Sequence, residues 1–330
     1  MAIKVAINGT GRIGLCVCKI LSERDDLELV ALNTTMPIDT LVHLLKYDSV
    51  QKNSDVIKVS ENSIKINNKI IQIVSTRDIK ELNFGSFDAE IVLECTGAFN
   101  DINKAKAHLY GGVKRVIISA PATDTPTFVY GVNHTSYKGE EVISNASCTT
   151  NALAPLTKVL HDNFTILSGL MTTIHSYTND QNLLDSKHKD LRRARAAALN
   201  MIPTSTGAAK AIGLVMPELK GKLNGFAIRV PTPDVSVVDL TCITQKQITK
   251  ELINETFEKA AATNFKDLIL VDNEKRVSGD FIGSAYSSIF VPDCTCVVGE
   301  NQLKIVAWYD NEWGYSTRLV DLASFVAKSI

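Results

Sequence analysis

Several features that define whole classes of protein are scarce in this chain of 330 residues. No apolar run approaches the roughly 18 residues that cross a bilayer, and the first residues lack the basic and apolar segments of a signal peptide. Basic and acidic residues nearly balance, 35 against 36, so neither nucleic acid nor a membrane is an expected partner. Glycine (18) and proline (9) are too few for a fibrous or disordered chain. Seven cysteines without dense spacing favour a reduced, cytoplasmic protein over a disulfide framework.

The first third of the chain alternates strand and helix patterns. Short apolar runs predict strands at residues 3–8, 27–33, 91–94 and 116–119, and a hairpin is expected at 62–75. A helical repeat of apolar residues follows the first strand. This order predicts an α/β fold whose first domain is a Rossmann-type doubly wound parallel sheet that binds a dinucleotide.

After about residue 146 the strands alternate apolar and polar positions, at 170–175, 225–230, 235–243, 288–291 and 303–309. This half is predicted to be an α+β catalytic domain with a mostly antiparallel sheet, one face packed and the other presenting polar groups. A long polar loop is predicted at 176–204, and a loop of that length is more often functional than a passive connector.

The segment Gly9-Thr10-Gly11-Arg12-Ile13-Gly14 matches G-x-G-x-x-G between a strand and a helix, as dinucleotide binding requires. The alternative is a turn that needs glycine only for packing. An acidic residue is expected about 20 residues on, at the end of the second strand, but Asn33 and Thr34 stand there. Without a carboxylate, the 2′-phosphate of NADP would not be repelled at this position. The alternative is that Asn33 or Thr34 simply hydrogen-bonds the ribose of NAD.

Cys148 precedes a helical pattern and lies among Ser, Thr and Asn, which favours a nucleophile over a small buried apolar residue. Pro155 is expected to kink this helix or to mark a later start. His175 ends a strand and is the best-placed base, although a single histidine on a strand is more often structural. Four of the other cysteines are expected in the core, and two alternate on a likely strand with no nearby histidine, so no metal site is expected. The core group is Cys16, Cys18, Cys95 and Cys242, and the other pair is Cys294 and Cys296.

With these residues assembled, the chain resembles the phosphorylating glyceraldehyde-3-phosphate dehydrogenase family over essentially its whole length. The resemblance is carried by segments 7–14, 144–151, 175–181, 188–197, 203–208 and 308–315. It implies reversible oxidation of D-glyceraldehyde 3-phosphate to 1,3-bisphosphoglycerate through a Cys148 thioester, with His175 as the base. A protonated His175 is expected to favour the thiolate.

The resemblance also implies the remaining site residues. Substrate and inorganic phosphate would bind at Ser147, Thr149, Thr178, Arg193, Thr206, Gly207 and Arg229. The cofactor would bind at Gly9, Gly11, Arg12, Ile13, Gly14, Asn33, Thr34, Arg77, Ser119, Ser186, Lys187 and Asn311. No metal is implied.

The family resemblance further implies a cytoplasmic homotetramer in which the long loop reaches a neighbouring subunit's cofactor. The cofactor domain would comprise residues 1–147 with the C-terminal helix at about 313–330, and the catalytic domain residues 148–312. Thr34 replaces an Asp that is typical of NAD-specific members, and Ser186-Lys187 replaces Leu-Pro. These two departures predict use of NADP as well as NAD. Erythrose-4-phosphate dehydrogenase and a catalytically silent NAD-binding scaffold are the alternative functions.

Overall fold

The computed structural model describes residues 2–330, which form two compact units. The first unit comprises the chain up to Ser147 together with Ser316–Ile330, and the second comprises Cys148–Tyr315. The boundary after residue 315 lies within the last helix, α7 (Trp313–Ala327). No helix among the described residues is long and apolar enough to span a membrane.

The first unit is built on an eight-stranded sheet in the order β3-β4-β5-β2-β1-β6-β7-β8. Its strands are β1 Ile3–Asn8, β2 Leu27–Asn33, β3 Val56–Ser60, β4 Ser63–Ile66, β5 Lys69–Val74, β6 Ile91–Glu94, β7 Arg115–Ile118 and β8 Val142–Ser144. Its complete helices are α1 Arg12–Ser22, α2 Ile38–Lys46 and α3 Ile102–Ala105.

Six neighbouring strands of the sheet pair in parallel, in the order β5-β2-β1-β6-β7-β8, and only the β3-β4-β5 edge is antiparallel. The central strands are short and almost wholly buried because both faces of a parallel sheet are covered. Strand order reverses at β1, with β2 on one side and β6 on the other, which is the switch point of a doubly wound sheet. The predicted fold of this unit is confirmed, as is the hairpin, which turns at Asn67 with φ of 52°.

The second unit carries another eight-stranded sheet, in the order β10-β11-β9-β12-β16-β14-β13, with β15 paired to β16. Its strands are β9 Ile166–Ser176, β10 Ile202–Ser205, β11 Leu223–Val230, β12 Ser236–Thr244, β13 Ile269–Val271, β14 Ser288–Phe290, β15 Cys296–Val298 and β16 Gln302–Tyr309. Its complete helices are α4 Cys148–Phe164, α5 Ala208–Val215 and α6 Lys250–Ala262. Only β9-β11 and β13-β14 pair in parallel, so the predicted mostly antiparallel sheet is confirmed.

The two faces of this second sheet differ from the expectation. Met171, Thr173 and His175 are buried on one face of β9, as the alternation predicts. The opposite face was expected to be polar, and that was wrong: Leu170 is 68% exposed there and Phe226 48%. The elements of the unit pack on the His175 face and leave this apolar surface uncovered.

Helix α4 begins at Cys148 and runs past Pro155, so the proline does not mark a later start. Proline offers no N–H to the helix, and three carbonyls just before it accept hydrogen bonds from side-chain hydroxyls. Ser288 Oγ donates to the Ala152 carbonyl at 2.6 Å, and Thr157 Oγ1 contacts the Leu153 and Ala154 carbonyls at 3.0 Å. The helix therefore keeps the nucleophile candidate at its first position.

Candidate active site

A cavity of about 510 Å³ opens in the first unit at the carboxyl ends of β1, β2, β5 and β6. This is the edge of a doubly wound sheet at which ligands bind, next to the switch point at β1. Five predicted cofactor residues line the cavity: Gly9, Gly11, Asn33, Thr34 and Arg77.

The glycine turn is shaped for a ligand as well as for packing. Gly9 has φ of +102°, a conformation that favours glycine, and a Cβ on Gly14 would lie 2.0 Å from the Gly9 carbonyl oxygen. Gly11, by contrast, has nothing within 4 Å of the position of a Cβ, and it provides no side-chain cap to α1. The N–H groups of the first turn of α1 are thus approachable, as a pyrophosphate requires.

The polar residues after β2 are fixed by hydrogen bonds. Asn33 Nδ2 donates to Asn8 Oδ1 at 2.8 Å and to the Thr76 carbonyl at 3.0 Å. The hydroxyls of Thr34 and Thr10 are 2.5 Å apart. The chain thus uses neutral groups where the fingerprint expects an acid, and the nearby charges on the cavity wall are those of Arg77 and Asp78.

The other predicted cofactor residues of this unit, Arg12, Ile13, Gly14 and Ser119, do not line the cavity. The Arg12 guanidinium is held by both oxygens of Asp48 at 3.0 Å. Gly14 lies against the Gly9 backbone. The Ser119 N–H donates to the Glu94 carbonyl at 2.9 Å, directly after β7.

Sequence reasoning missed several cavity residues, among them Asn8, Thr96 and Phe99. Asn8 ends β1, and Thr96 and Phe99 follow β6. Ligands bind at the carboxyl ends of the strands beside the switch point, so the predicted strand order already pointed to these positions. Cys95 was expected in the core together with Cys16, Cys18 and Cys242. The other three are buried, but Cys95 is only partly buried and lines the cavity, so that expectation was wrong.

In the second unit, Cys148 and His175 meet across the site. Cys148 Sγ lies 3.5 Å from His175 Nε2, and the imidazole is 5% exposed. The thiol stands at the first residue of α4 and the imidazole in β9, and these two elements pack against each other. The geometry suits transfer of the thiol proton to the ring.

Arg229 completes this group from the neighbouring strand. Its Cα is paired with that of His175 in the parallel β9-β11 ladder. Arg229 Nη1 lies 2.9 Å from His175 Nδ1 and donates to the Ser176 carbonyl at 2.8 Å. The same carbonyl is 2.7 Å from His175 Nδ1. The register of two strands therefore fixes a cation beside the base.

The charge state of this group differs from the expectation. Burial, followed by the charge of Arg229, lowers the pKa of His175 to about 3, so the ring is neutral at pH 7. Burial raises the pKa of the Cys148 thiol, while Arg229 opposes that shift. The direction of the His175 shift runs against the expected imidazolium partner. The cation that favours the thiolate here is the Arg229 guanidinium, whose own pKa burial lowers from its ordinary value.

Tyr309 lies behind the reacting pair and was not predicted as a site residue. Its hydroxyl is 2.8 Å from Thr149 Oγ1 and 2.9 Å from Thr173 Oγ1. Its ring meets the imidazole of His175 edge to face, with centroids 6.0 Å apart. Thr149, a predicted phosphate ligand, thus has its hydroxyl engaged by Tyr309. Tyr309 lies in segment 308–315, one of the segments that carry the family resemblance, and this was the feature of the sequence that could have indicated it.

Asn311 follows β16 and is held by two hydroxyls. Its Oδ1 accepts from Ser176 Oγ at 2.8 Å and from Ser236 Oγ at 2.7 Å. These bonds fix the plane of the Asn311 carboxamide and direct its oxygen toward Ser176 and Ser236. The residue thus has one defined orientation near the end of β9.

Arg193 lies in the long loop, which contains neither helix nor strand between Tyr177 and Met201. Its Nε donates to Thr204 Oγ1 at 3.0 Å, and its guanidinium forms an ion pair with Asp180. Thr206 and Gly207 stand at the start of α5, where Gly207 has nothing within 4 Å of the position of a Cβ. This helix start is open to an anion.

Other predicted residues are less constrained. The Thr178 N–H lies 3.4 Å from Gln181 Oε1, and Ser147 directly precedes the nucleophile candidate. Ser186 and Lys187 are exposed in the loop, and their carbonyls accept from Asn182 Nδ2 at 2.7 and 3.4 Å. Their side chains are free to face a ligand or another subunit.

A dinucleotide-type parallel sheet in one unit, with a thiol, an imidazole and a guanidinium in contact in the other, indicates the class of nucleotide-dependent oxidoreductases. Residues 3–102 match the family described as glyceraldehyde 3-phosphate dehydrogenase, NAD binding domain. Residues 147–311 match the C-terminal domain of the same family.

Full-length relatives agree with these matches. The chain is 51% identical over 331 residues to glyceraldehyde-3-phosphate dehydrogenase of Geobacillus stearothermophilus, which covers 99% of both chains. It is 52% identical over 340 residues to the same enzyme of Mycobacterium avium, which covers all of both chains. It is 50% identical to a chloroplastic form from Arabidopsis thaliana, of which it covers 84%. The chain belongs to the glyceraldehyde-3-phosphate dehydrogenase family.

Proposed function

We propose that this protein catalyses the reversible, phosphorylating oxidation of D-glyceraldehyde 3-phosphate to 1,3-bisphosphoglycerate, with Cys148 as the nucleophile. The observation that carries the proposal is the 3.5 Å contact between Cys148 Sγ and His175 Nε2, in a chain about half identical to enzymes named for this substrate. Relatives with that name do not favour erythrose-4-phosphate dehydrogenase or a silent scaffold.

His175 acts as a general base through Nε2. For this role Nδ1 must carry the proton and donate it to the Ser176 carbonyl, 2.7 Å away. A neutral ring is the form that accepts the thiol proton, and burial, which lowers its pKa, makes that ring a weaker base than a free imidazole. A well-placed general base contributes roughly 10²–10⁴-fold to the rate.

The Cys148 sulfur attacks the aldehyde carbon as its proton passes to His175, and the electron pair of the carbonyl π bond moves to the oxygen of the hemithioacetal, which is left as an oxyanion. NAD, when bound, would supply the acceptor for the hydride lost from that carbon. The resulting thioester on Cys148 keeps the free energy of oxidation, and inorganic phosphate then attacks the acyl carbon. The Cys148 thiolate leaves, and the acyl phosphate is released.

Two anion sites flank the thiol in this scheme. Arg229 and Thr178 hold the substrate's own phosphate, while Arg193, Thr206 and Gly207 hold inorganic phosphate, with Ser147 and Thr149 beside the sulfur. Arg193 already has its carboxylate partner Asp180, so the anion must compete with or join that pair. The open start of α5 supplies N–H donors without a counter-charge.

The glycine turn and the cavity suit NAD, since Gly11 leaves the start of α1 open and Asn33 and Thr34 present hydroxyl and amide groups. Asn311 would hold the carboxamide of the nicotinamide, and Arg12, Ile13 and Ser119 would support the turn from outside the cavity lining. We extend the proposal to NADP, because Arg77 on the wall offers a cation for a 2′-phosphate.

The proposal includes a cytoplasmic homotetramer in which Ser186 and Lys187 face a neighbour's cofactor. An uncovered apolar sheet face, with Leu170 at 68% and Phe226 at 48% exposure, supports burial against another copy. The seven free thiols fit a reducing compartment.

Steady-state assays of the purified protein test the activity. We expect NADH formation that requires both glyceraldehyde 3-phosphate and inorganic phosphate, and a kcat/KM at least tenfold lower with erythrose 4-phosphate. Equal or better turnover of erythrose 4-phosphate would assign the rival activity. Cofactor binding without turnover of either aldehyde, and without acylation of Cys148, would indicate a silent protein.

A further inference from the structure

A second thiol-bearing segment, Cys294-Thr295-Cys296, lies at the surface of the second unit. It joins a 3-10 turn at Pro292–Cys294 to β15. Both cysteines are exposed free thiols, whereas Thr295 between them is 2% exposed. Thr295 and Cys296 are in extended chain and point to opposite sides, so the buried Thr295 leaves the Cys296 thiol outside, and Cys294 is exposed at the end of the 3-10 turn.

Helix α6 clamps this segment. Thr295 Oγ1 donates to Asn254 Oδ1 at 2.8 Å, and Asn254 Nδ2 donates to the Pro292 carbonyl at 3.0 Å. One turn earlier, Lys250 Nζ donates to the Asp293 carbonyl at 2.9 Å. The backbone that carries the two thiols is therefore fixed from both sides of Cys294.

The two cysteines are close enough along the chain for a disulfide. Residues two apart have Cα atoms at most about 7 Å apart, and disulfides span about 4.4–6.8 Å. Thr295 between them is extended, and Cys296 Sγ lies 3.6 Å from the Cys294 carbonyl oxygen. Burial of part of the side chain, then Asp293 and the nearby Cys296 thiol, raise the pKa of Cys294.

We infer that Cys294 and Cys296 form a reversible dithiol–disulfide couple that exchanges with low-molecular-weight disulfides and is separate from the nucleophile Cys148. The Cys294 thiolate attacks one sulfur of the small disulfide, whose S–S bond breaks and releases one small thiol. The Cys296 thiolate then attacks Cys294 Sγ and releases the second. The protein loses two hydrogens, and the small disulfide is reduced to two thiols.

The test uses the full-length Cys148→Ser protein, so that the nucleophile does not consume the reagent. It is equilibrated with oxidised and reduced glutathione at mildly alkaline pH, because the pKa of Cys294 is raised. After acid quenching and alkylation, mass spectrometry of the 294–296 peptide should show loss of two hydrogens and no alkyl group. Dithiothreitol should restore two alkylated cysteines.

Matched variants separate a ring-closing pair from two independent thiols. In Cys296→Ser the reaction should stop at a glutathione mixed disulfide on Cys294, and Cys294→Ser should leave only a mixed disulfide on Cys296. Stable mixed disulfides on the peptide with both cysteines, or two alkylated cysteines at every redox ratio, would overturn the inference.

Two variants of Thr295 test whether its hydrogen bond to Asn254 positions the thiols. Thr295→Val removes the hydroxyl that bonds Asn254 and should lower the ratio of internal to mixed disulfide about fivefold, which corresponds to the loss of one hydrogen bond. Thr295→Ser keeps the hydroxyl and should behave as the parent protein. Equal ratios in both variants would show that α6 does not position the thiols.

Discussion

Arg229 and His175 occupy paired positions on adjacent parallel strands, and Arg229 Nη1 lies 2.9 Å from His175 Nδ1. The guanidinium also donates to the Ser176 carbonyl, which is the acceptor nearest to Nδ1. One arginine thus holds a positive charge beside the base and shares the Ser176 carbonyl with it as a neighbouring hydrogen-bond acceptor.

The first prediction concerns the base and the nucleophile. Cys148→Ser should abolish phosphate-dependent oxidation, because a serine hydroxyl does not ionise at neutral pH. His175→Asn should keep the thiol but lower kcat by about 10²–10⁴-fold, since general base catalysis is lost. Both are measured by steady-state kinetics, with Cys242→Ser as a cysteine control away from the reacting pair. Retention of more than a few per cent of activity by Cys148→Ser would assign the chemistry to another thiol.

The second prediction separates the charge of Arg229 from the base. Since Arg229 opposes the raised pKa of Cys148, Arg229→Gln should shift the pH midpoint of Cys148 alkylation upward, whereas Arg229→Lys keeps a cation and should shift it less. Iodoacetamide labelling across pH, read by peptide mass, gives the midpoints. With a neutral ring, His175→Asn should change the midpoint less than Arg229→Gln. A larger shift in His175→Asn would mean that an imidazolium forms after all.

The third prediction is a pH dependence of stability from a buried acid pair. Burial, together with the charges of Asp310 and Glu312, raises the pKa of Asp234 to about 9. Asp310 accepts from the N–H groups of Glu312 and Trp313 at 2.8 and 2.6 Å, so its carboxylate is the better satisfied of the two. The proton is therefore expected on Asp234.

A carboxyl group with a raised pKa in the folded state stabilises the protein fully only below its unfolded pKa of 3.8, and that contribution is lost as the pH rises toward about 9. Asp234→Asn mimics the protonated acid, so its urea midpoint should fall less than that of the parent between pH 6 and 9. Asp162→Asn, at an exposed ion pair with Lys158, is the control and should follow the parent. Parallel curves for Asp234→Asn and the parent would disprove a protonated Asp234.

The fourth prediction concerns the cofactor. The parent protein should turn over with both NAD and NADP. Thr34→Asp adds a carboxylate that repels a 2′-phosphate, and Lys187→Pro removes a cation. Each should selectively lower kcat/KM with NADP, by a factor that corresponds to a loss of about 1–2 kcal/mol of transition-state stabilisation. Thr34→Ser is the matched control that keeps the hydroxyl. Undetectable turnover of the parent with NADP at saturating substrate would restrict the protein to NAD.

The fifth prediction tests the uncovered sheet face. Phe226→Lys places a charge on it and should shift the assembly from tetramer toward smaller species at micromolar concentration, as measured by sedimentation velocity. Ile57→Lys, on the edge strand β3 of the first unit, introduces the same charge at a similarly exposed position and should leave the assembly unchanged. A parent protein that sediments as a monomer would remove the basis for a homotetramer.

The sequence by itself determined much of this protein. Local apolar periodicity predicted β1, β2, β6 and the antiparallel second sheet, because burial of one face or both imposes the repeat. The glycine pattern predicted the turn after β1, since Gly9 needs a positive φ and Gly14 a close backbone contact. The position of Cys148 at the start of α4 could also be predicted from the sequence, because neighbouring residues determine where a helix starts.

Only the tertiary structure decided which distant side chains meet. Arg229 reaches His175 because β9 and β11 pair in one register, and a shift of one residue would turn the guanidinium to the other face. Tyr309 meets Thr149 across 160 positions of the chain, and Asp234 shares its buried surroundings with Asp310. Contacts, burial and charge state arise from packing between elements, and no local periodicity records them.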